Sequence, residues 1–304
     1  MKKIYLWPAQ GFGDAICLNA LIRNICDEYD AVSLFCSEHF YKSIKWMFRD
    51  IKNLNFISVP YPSHSVWEQT IVNFINQNNL KVYELTEAGK IKSSGGQLDG
   101  DSVIKLGIQH DLGQFCRSIP EGSKNFDHTL KALPTEPSNL VLFHHMSKEI
   151  IPFYEAYYMM YDLPVDYRFS NFYYERDIES EDYVLSTLNP DNEKYIFVIE
   201  DGTHSLGYSI CIPEDRLPTQ YKIIRYNKEL NYTDDRFVLF NYYKLLDNAE
   251  QIHTTETAFF EFMRSMSSPL NALSSIDKSK VYLHSYVRNY ITTKIDKEFN
   301  RLLS

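Results

Sequence analysis

The segment Lys3-Ile-Tyr-Leu-Trp-Pro-Ala-Gln-Gly-Phe-Gly-Asp-Ala-Ile16 constrains the fold more than any other part of the chain. Its apolar start reads as a strand over Ile4–Trp7, Gly11-Phe-Gly13-Asp14 as a turn, and Asp14–Cys26 as an apolar-periodic helix. A strand that feeds a helix through a glycine turn belongs to α/β layering, where the next strand returns parallel to the first. Glycine there lets backbone N–H groups approach a ligand, and the helix N-terminus behind it favours negative charge. Asp14, at that helix start, is either a cap or a catalytic base.

The alternation continues. Strands are expected over Ala31–Cys36, Asn55–Val59 and Lys81–Leu85, with helices over Phe40–Phe48 and Val66–Gln77. Between Thr86 and Gly122 the pattern weakens into loops at Ser93–Gly96 and Asp99–Asp101, and Met146–Tyr161 reads as an aromatic helix. Its Phe153–Tyr161 face is either core or the wall of an acceptor groove. After a helix within Glu175–Glu193, the pattern starts afresh. Strands are expected over Tyr195–Glu200, Tyr221–Tyr226 and Val281–Leu283, a short strand or turn over Ile252–Thr255, and helices over Pro213–Leu217, Phe240–Asn248 and Glu256–Met266. The expected fold is α/β, with two Rossmann-like doubly wound domains, 1–150 and 151–304, facing across a cleft. Ligands would sit at the carboxyl ends of the strands, where Gly11–Asp14 and Ser37-Glu-His39 fall.

Composition narrows the function. A length of 304 residues suits two α/β domains, and 44% hydrophobic with 23% charged residues is globular. The formal net charge is −9 and no Lys/Arg block occurs, so nucleic acid is not an expected partner. Cys17, Cys26, Cys36, Cys116 and Cys211 are odd in number and lack a Cys-x-x-Cys spacing, which fits a reducing, cytoplasmic compartment. No segment approaches the roughly 20 apolar residues of a membrane span, and Pro8 interrupts the run behind Lys2-Lys3 too early for a signal peptide.

Four constellations bear on chemistry. Gly11-Phe12-Gly13-Asp14 lacks the third glycine of a dinucleotide fingerprint and the Gly-Lys-Ser/Thr of a Walker loop. Thr254, Thr255, Glu256 and Thr257 end a strand and open a helix, so their hydroxyls and N–H groups suit a diphosphate, with a simple cap as the alternative. Asp201-Gly-Thr203-His204-Ser205 follows the first strand of the second half and offers donors to phosphate, or is a solvated turn. Arg225 ends the next strand, where its guanidinium suits bidentate phosphate binding or a surface ion pair. Metal ligation has little support: His144-His145 are adjacent, and Asp99-Gly-Asp101 reads as a turn.

The run Gly-Phe-Gly-Asp-Ala-Ile-Cys-Leu-Asn-Ala-Leu-Ile-Arg23 resembles the N-terminal motif of heptosyltransferase-like glycosyltransferases. Thr255-Glu-Thr-Ala-Phe-Phe-Glu-Phe262, followed by Pro269, resembles their Asp-Thr-Gly-Leu-Ser-His-Leu donor motif. The fucosyltransferase-like branch of the same GT-B fold is similar too. The resemblance implies Asp14 as general base, Gly11, Phe12 and Gly13 as the acceptor-side loop, and Glu256 and Thr257 as donor ligands. Thr203, His204, Ser205, Arg225 and Thr255 complete the expected donor side. Two positions depart from the pattern: Ala258 replaces a glycine, and Glu261 replaces a histidine and would repel phosphate.

The implied function is metal-independent, inverting transfer from a nucleotide-sugar donor to a glycan or other hydroxyl acceptor, with no further cofactor. An epimerase or hydrolase of the same fold and a non-catalytic glycan- or nucleotide-binding protein are the rivals.

Overall fold

The structure is a computed structural model that describes residues 2–8, 11–61, 63–106, 153–164, 166–200, 212, 214, 217–255, 257–268, 270–273 and 276–283. The chain divides into two compact units, Met1–Phe172 and Tyr173–Ser304.

In the first unit, β1 (Lys3–Trp7), β2 (Ala31–Ser37), β3 (Leu54–Val59), β4 (Lys81–Glu84) and β5 (Ser102–Lys105) form one sheet in the order β3-β2-β1-β5-β4. Every pairing is parallel, with Tyr5 opposite both Ser33 and Val103. The chain winds from β1 outward to β3, then crosses to the far side, so the switch point lies between β1 and β5. One face of the sheet presents Tyr5, Phe35 and Val103 to Trp67, Ile71 and Ile75 of α4 (His64–Gln77). Trp67 is 1% exposed, and truncating such a residue to alanine costs about 3–5 kcal/mol.

The helix expected over Asp14–Cys26 is two helices, α1 (Phe12–Cys17) and α2 (Asn19–Glu28), parted at Leu18 with ψ 0°. The cause is a hydroxyl from far along the chain. Tyr158 Oη donates to the Cys17 carbonyl at 2.7 Å and accepts the Leu21 N–H at 3.4 Å. It thereby takes both groups that a continuous helix would join, and a side chain inserted in the ladder kinks a helix.

Tyr158 belongs to α6 (Phe153–Met160), which packs on the first unit rather than opening the second. Gly89, in α5 (Leu85–Ser93), permits a very close approach: a Cβ there would lie 1.8 Å from the Met160 carbonyl oxygen. The division between units therefore falls after Phe172, later than the expected 150/151 boundary. Tyr157 and Tyr158 are buried, so at these positions the aromatic face is core and lines no groove.

The loops expected at Ser93–Gly96 and Asp99–Asp101 fall between two elements that the weakened pattern after Thr86 did not show. Helix α5 follows β4 directly, and β5 supplies the strand between β1 and β4. Asp101, at φ 58°, turns the chain into β5, a left-handed conformation that Asp and Asn tolerate better than most residues. Short helix α7 (Tyr167–Ser170) closes the unit, with Arg168 buried and donating to Cys17 Sγ at 3.1 Å.

The second unit begins with α8 (Ile178–Leu188). Strands β6 (Tyr195–Ile199), β7 (Lys222–Arg225), β8 (Gln251–Thr254) and β9 (Val281–Leu283) form a parallel sheet in the order β7-β6-β8-β9. Its switch point lies between β6 and β8. Helix α9 (Leu230–Thr233) is one turn; a 3-10 turn over Leu239–Tyr242 runs into α10 (Tyr243–Asn248), and α11 spans Ala258–Met266. The core is ring-rich. Tyr226 and Tyr242 meet Phe259 at 4.8 and 5.4 Å between centroids, and Tyr174 and Phe240 meet Phe262 at 5.5 and 5.3 Å. Edge-to-face rings of this kind add about 0.5–1.5 kcal/mol per pair beyond area burial.

Two parallel sheets with flanking helices define an α/β fold. Among the described residues, no helix is long and apolar enough to cross a membrane. The expected short helix over Pro213–Leu217 and the first residues of Met146–Tyr161 lie largely outside the described residues.

Candidate functional site

In the first unit, β1 ends at Trp7 and the chain enters α1 through Gly11, an extended N-cap at φ −81° and ψ 154°. Asp14 is the third residue of α1, and its Oδ2 accepts the Gly11 N–H at 2.9 Å. The carboxylate folds back so closely that a Cβ on Gly11 would lie 2.8 Å from Oδ2. A side chain at Gly11 would thus have to displace that oxygen, and its φ is not left-handed. The approach expected for a ligand anion is filled by the protein's own carboxylate, so the capping role of Asp14 is realised. Phe12 is anchored in the core, stacked on Phe40 at 5.8 Å with 16° between planes. Gly13 lies inside α1 as well, so of Gly11, Phe12 and Gly13 only Gly11 stands before the helix.

The ends of β2 and β3 are tied together beside this turn. His39 Nε2 lies 3.2 Å from the Tyr61 carbonyl oxygen, and Tyr61 N donates to Glu38 Oε1 at 3.2 Å. At the switch point, Trp7 and Lys105 are register partners on β1 and β5. Lys105 Nζ lies 5.3 Å from the Trp7 ring centroid and 3.5 Å from Glu84 Oε1. Sequence reasoning missed this cation because the four residues of β5 are too few to show a period.

In the second unit, Arg225 at the end of β7 pairs with Glu200, just past the end of β6, at 2.7 Å, and with Glu214 at 3.6 Å. Glu200 also accepts the Ile212 N–H at 2.7 Å. The guanidinium read as a phosphate ligand is thus held by carboxylates. Beyond β8, Thr255 is fully buried, its N–H donates to Ile199 O at 3.2 Å, and its Oγ1 has no hydrogen-bond partner among the described residues. Thr254 Oγ1 donates to the Thr255 carbonyl at 3.0 Å. Thr257 is the N-cap of α11 and accepts the Phe260 N–H at 3.3 Å. Glu261 Oε2 lies 3.9 Å from Arg264 Nη1, which is 2% exposed, so that carboxylate faces a buried cation.

The structure thus brings Thr255 and Thr257 together at the β8–α11 junction, and places Arg225 at the end of β7, on the other side of β6. Thr203, His204, Ser205 and Glu256, with His144 and His145, lie outside the described residues. Among the described residues, no three His, Cys, Asp or Glu side chains gather as a metal site requires.

No protein-family model matches the chain, and no curated protein matches its sequence. Solved structures do. Escherichia coli ADP-heptose lipopolysaccharide heptosyltransferase II matches at 11% identity and a TM-score of 0.45, over 100% of this chain and 98% of that one. A glycosyl transferase family 9 protein from Veillonella parvula matches at 12% identity and 0.46, over 99% and 97%. Arabidopsis thaliana UGT89C1 complexed with UDP matches at 10% identity and 0.38, over 99% and 91%.

Proposed function

We propose that the protein is a GT-B glycosyltransferase that moves a sugar from a nucleotide-sugar donor to a hydroxyl acceptor, without metal and with inversion. The observation that carries this reading is positional. Two segments resembling glycosyltransferase motifs each follow a strand that flanks the switch point of its own parallel sheet: Gly11–Asp14 after β1, and Thr255–Thr257 after β8.

In this mechanism Asp14 takes the proton of the acceptor hydroxyl as that oxygen bonds to the anomeric carbon. The bond from that carbon to the nucleoside diphosphate breaks on the opposite face, and the electron pair leaves with the diphosphate. Thr255 and Thr257, the N-terminus of α11, and Thr203, His204 and Ser205 would meet the developing negative charge. Glu256 would hold hydroxyls of the donor. Arg225 would exchange Glu200 for phosphate when donor enters.

Asp14→Asn keeps an oxygen for the Gly11 N–H, so folding should be unchanged. Transfer should fall by about 10²–10⁴-fold while nucleotide sugar still raises the melting temperature. Unchanged turnover would remove Asp14 from the mechanism. The ion pair on Arg225 favours a second reading, a binding protein without transfer. A melting shift with nucleotide sugar but no product by mass spectrometry, with or without acceptor, would select it. Donor breakdown without acceptor would select an epimerase or hydrolase.

A further inference from the structure

The first sheet carries a pocket of about 290 Å³ at the end away from the Gly11–Asp14 turn. Its lining includes Lys2 before β1, Tyr29 before β2 and Leu98 before β5, which places it at the amino ends of those strands. Ala88 and Ile91 of α5 complete an apolar wall with Leu98.

The polar floor is already paired. Lys92 forms an ion pair with Glu28 and donates to Asn24 Oδ1 at 2.9 Å, and its ammonium lies 4.5 Å from the Tyr161 ring centroid. The other oxygen of Glu28 accepts from Tyr161 Oη at 3.0 Å. Glu28 is thus neutralised inside the pocket. Two lining residues carry donors that are not hydrogen-bonded: the Lys2 ammonium and the Tyr29 hydroxyl have no hydrogen-bond or ion-pair partner among the described residues, and Tyr29 feels the charge of Glu28 only through space. The nearby Asp30 carboxylate accepts from the Lys2 backbone N–H at 2.6 Å and is not part of the lining. Two lysines against one glutamate leave the lining positive, in a protein whose net charge is −9.

We propose that this pocket binds a small ring-bearing organic anion, a carboxylate or a phosphate monoester. The ring would lie on Ala88, Ile91 and Leu98, and the anionic group would meet Lys2 and Tyr29. An apolar wall with a few convergent donors is the usual make-up of a small-molecule site, and the volume suits a single ring. The inference is independent of the transfer reading and stands or falls without it.

The test titrates the full-length protein with benzoate, phenyl phosphate, benzyl alcohol and inorganic phosphate, followed by calorimetry and by NMR. Benzoate or phenyl phosphate should saturate, and the stronger of the two identifies the head group. Lys2→Gln and Tyr29→Phe should each weaken that binding about tenfold, as loss of a hydrogen bond to a charged group does. Lys2 is exposed and Tyr29→Phe keeps its ring, so the unfolding midpoint should hold for both. Three results would each overturn the proposal: no saturation with either anion, undiminished binding in both variants, or equal binding of inorganic phosphate alone.

Discussion

Gly11 and Asp14 show how one contact can look like a binding loop in sequence. Glycine before a helix suggests room for a ligand, yet the room is taken by Asp14 Oδ2 at 2.9 Å from the Gly11 nitrogen. Gly11→Ala is compatible with φ −81°, but its Cβ must displace that oxygen. Loss of the cap should cost about 1 kcal/mol in urea unfolding. If Asp14 is the base, transfer should fall by far more than that loss accounts for; equal, small effects would leave Asp14 as a cap alone. The same scale decides the cysteines. Cys17, Cys26 and Cys36 are buried, and burial pushes the Cys26 and Cys36 thiols from 9.0 up to about 12. At pH 8 mass-mapped alkylation of these two should be slow in native protein and fast in urea. Since the unfolded thiols ionise near 9.0 and the folded ones do not, their effect is to lower stability as pH rises from 9.0 towards 12.

At the scale of elements, β1, β2 and β3 were legible because each combines an apolar run with a turn and a following helix, and β4, β6, β7 and β9 also fall where strands were expected. Strand β5 was not: Ser102–Lys105 shows no period, and its place between β1 and β4 follows from pairing alone. The kink at Leu18 was also illegible, because the hydroxyl that causes it lies 137 residues beyond Leu21. The motif positions of the candidate site can be read in the sequence, but a partner such as Glu200 on Arg225, which stands just past the end of a neighbouring strand, cannot. Tyr158→Phe removes one hydroxyl and strands two buried backbone groups unless α1 and α2 straighten. The expected cost is about 1–3 kcal/mol in denaturant unfolding. If Asp14 acts from α1, transfer should fall too; no stability change would mean that the helices close their own ladder.

For the whole molecule, the relevant boundary is where contacts cease rather than where the sequence pattern pauses. The first unit extends to Phe172 because α6 seats against Gly89 and fills the gap at Leu18. A fragment ending at residue 172 should melt cooperatively, by near-ultraviolet circular dichroism. One ending at 150 should lose that transition, since it exposes the notch at Gly89 and leaves Cys17 O and Leu21 N–H unpaired. Equal melting of both would show that α6 is dispensable. The same geometry sets an order in time. A ribosome adding about 5–20 residues per second needs on the order of ten seconds to pass from Cys17 to Tyr158, 141 residues later. Until then no hydroxyl is there to part α1 from α2. The nascent helix can run straight through Leu18, and the break between α1 and α2 is added only after most of the unit has been made.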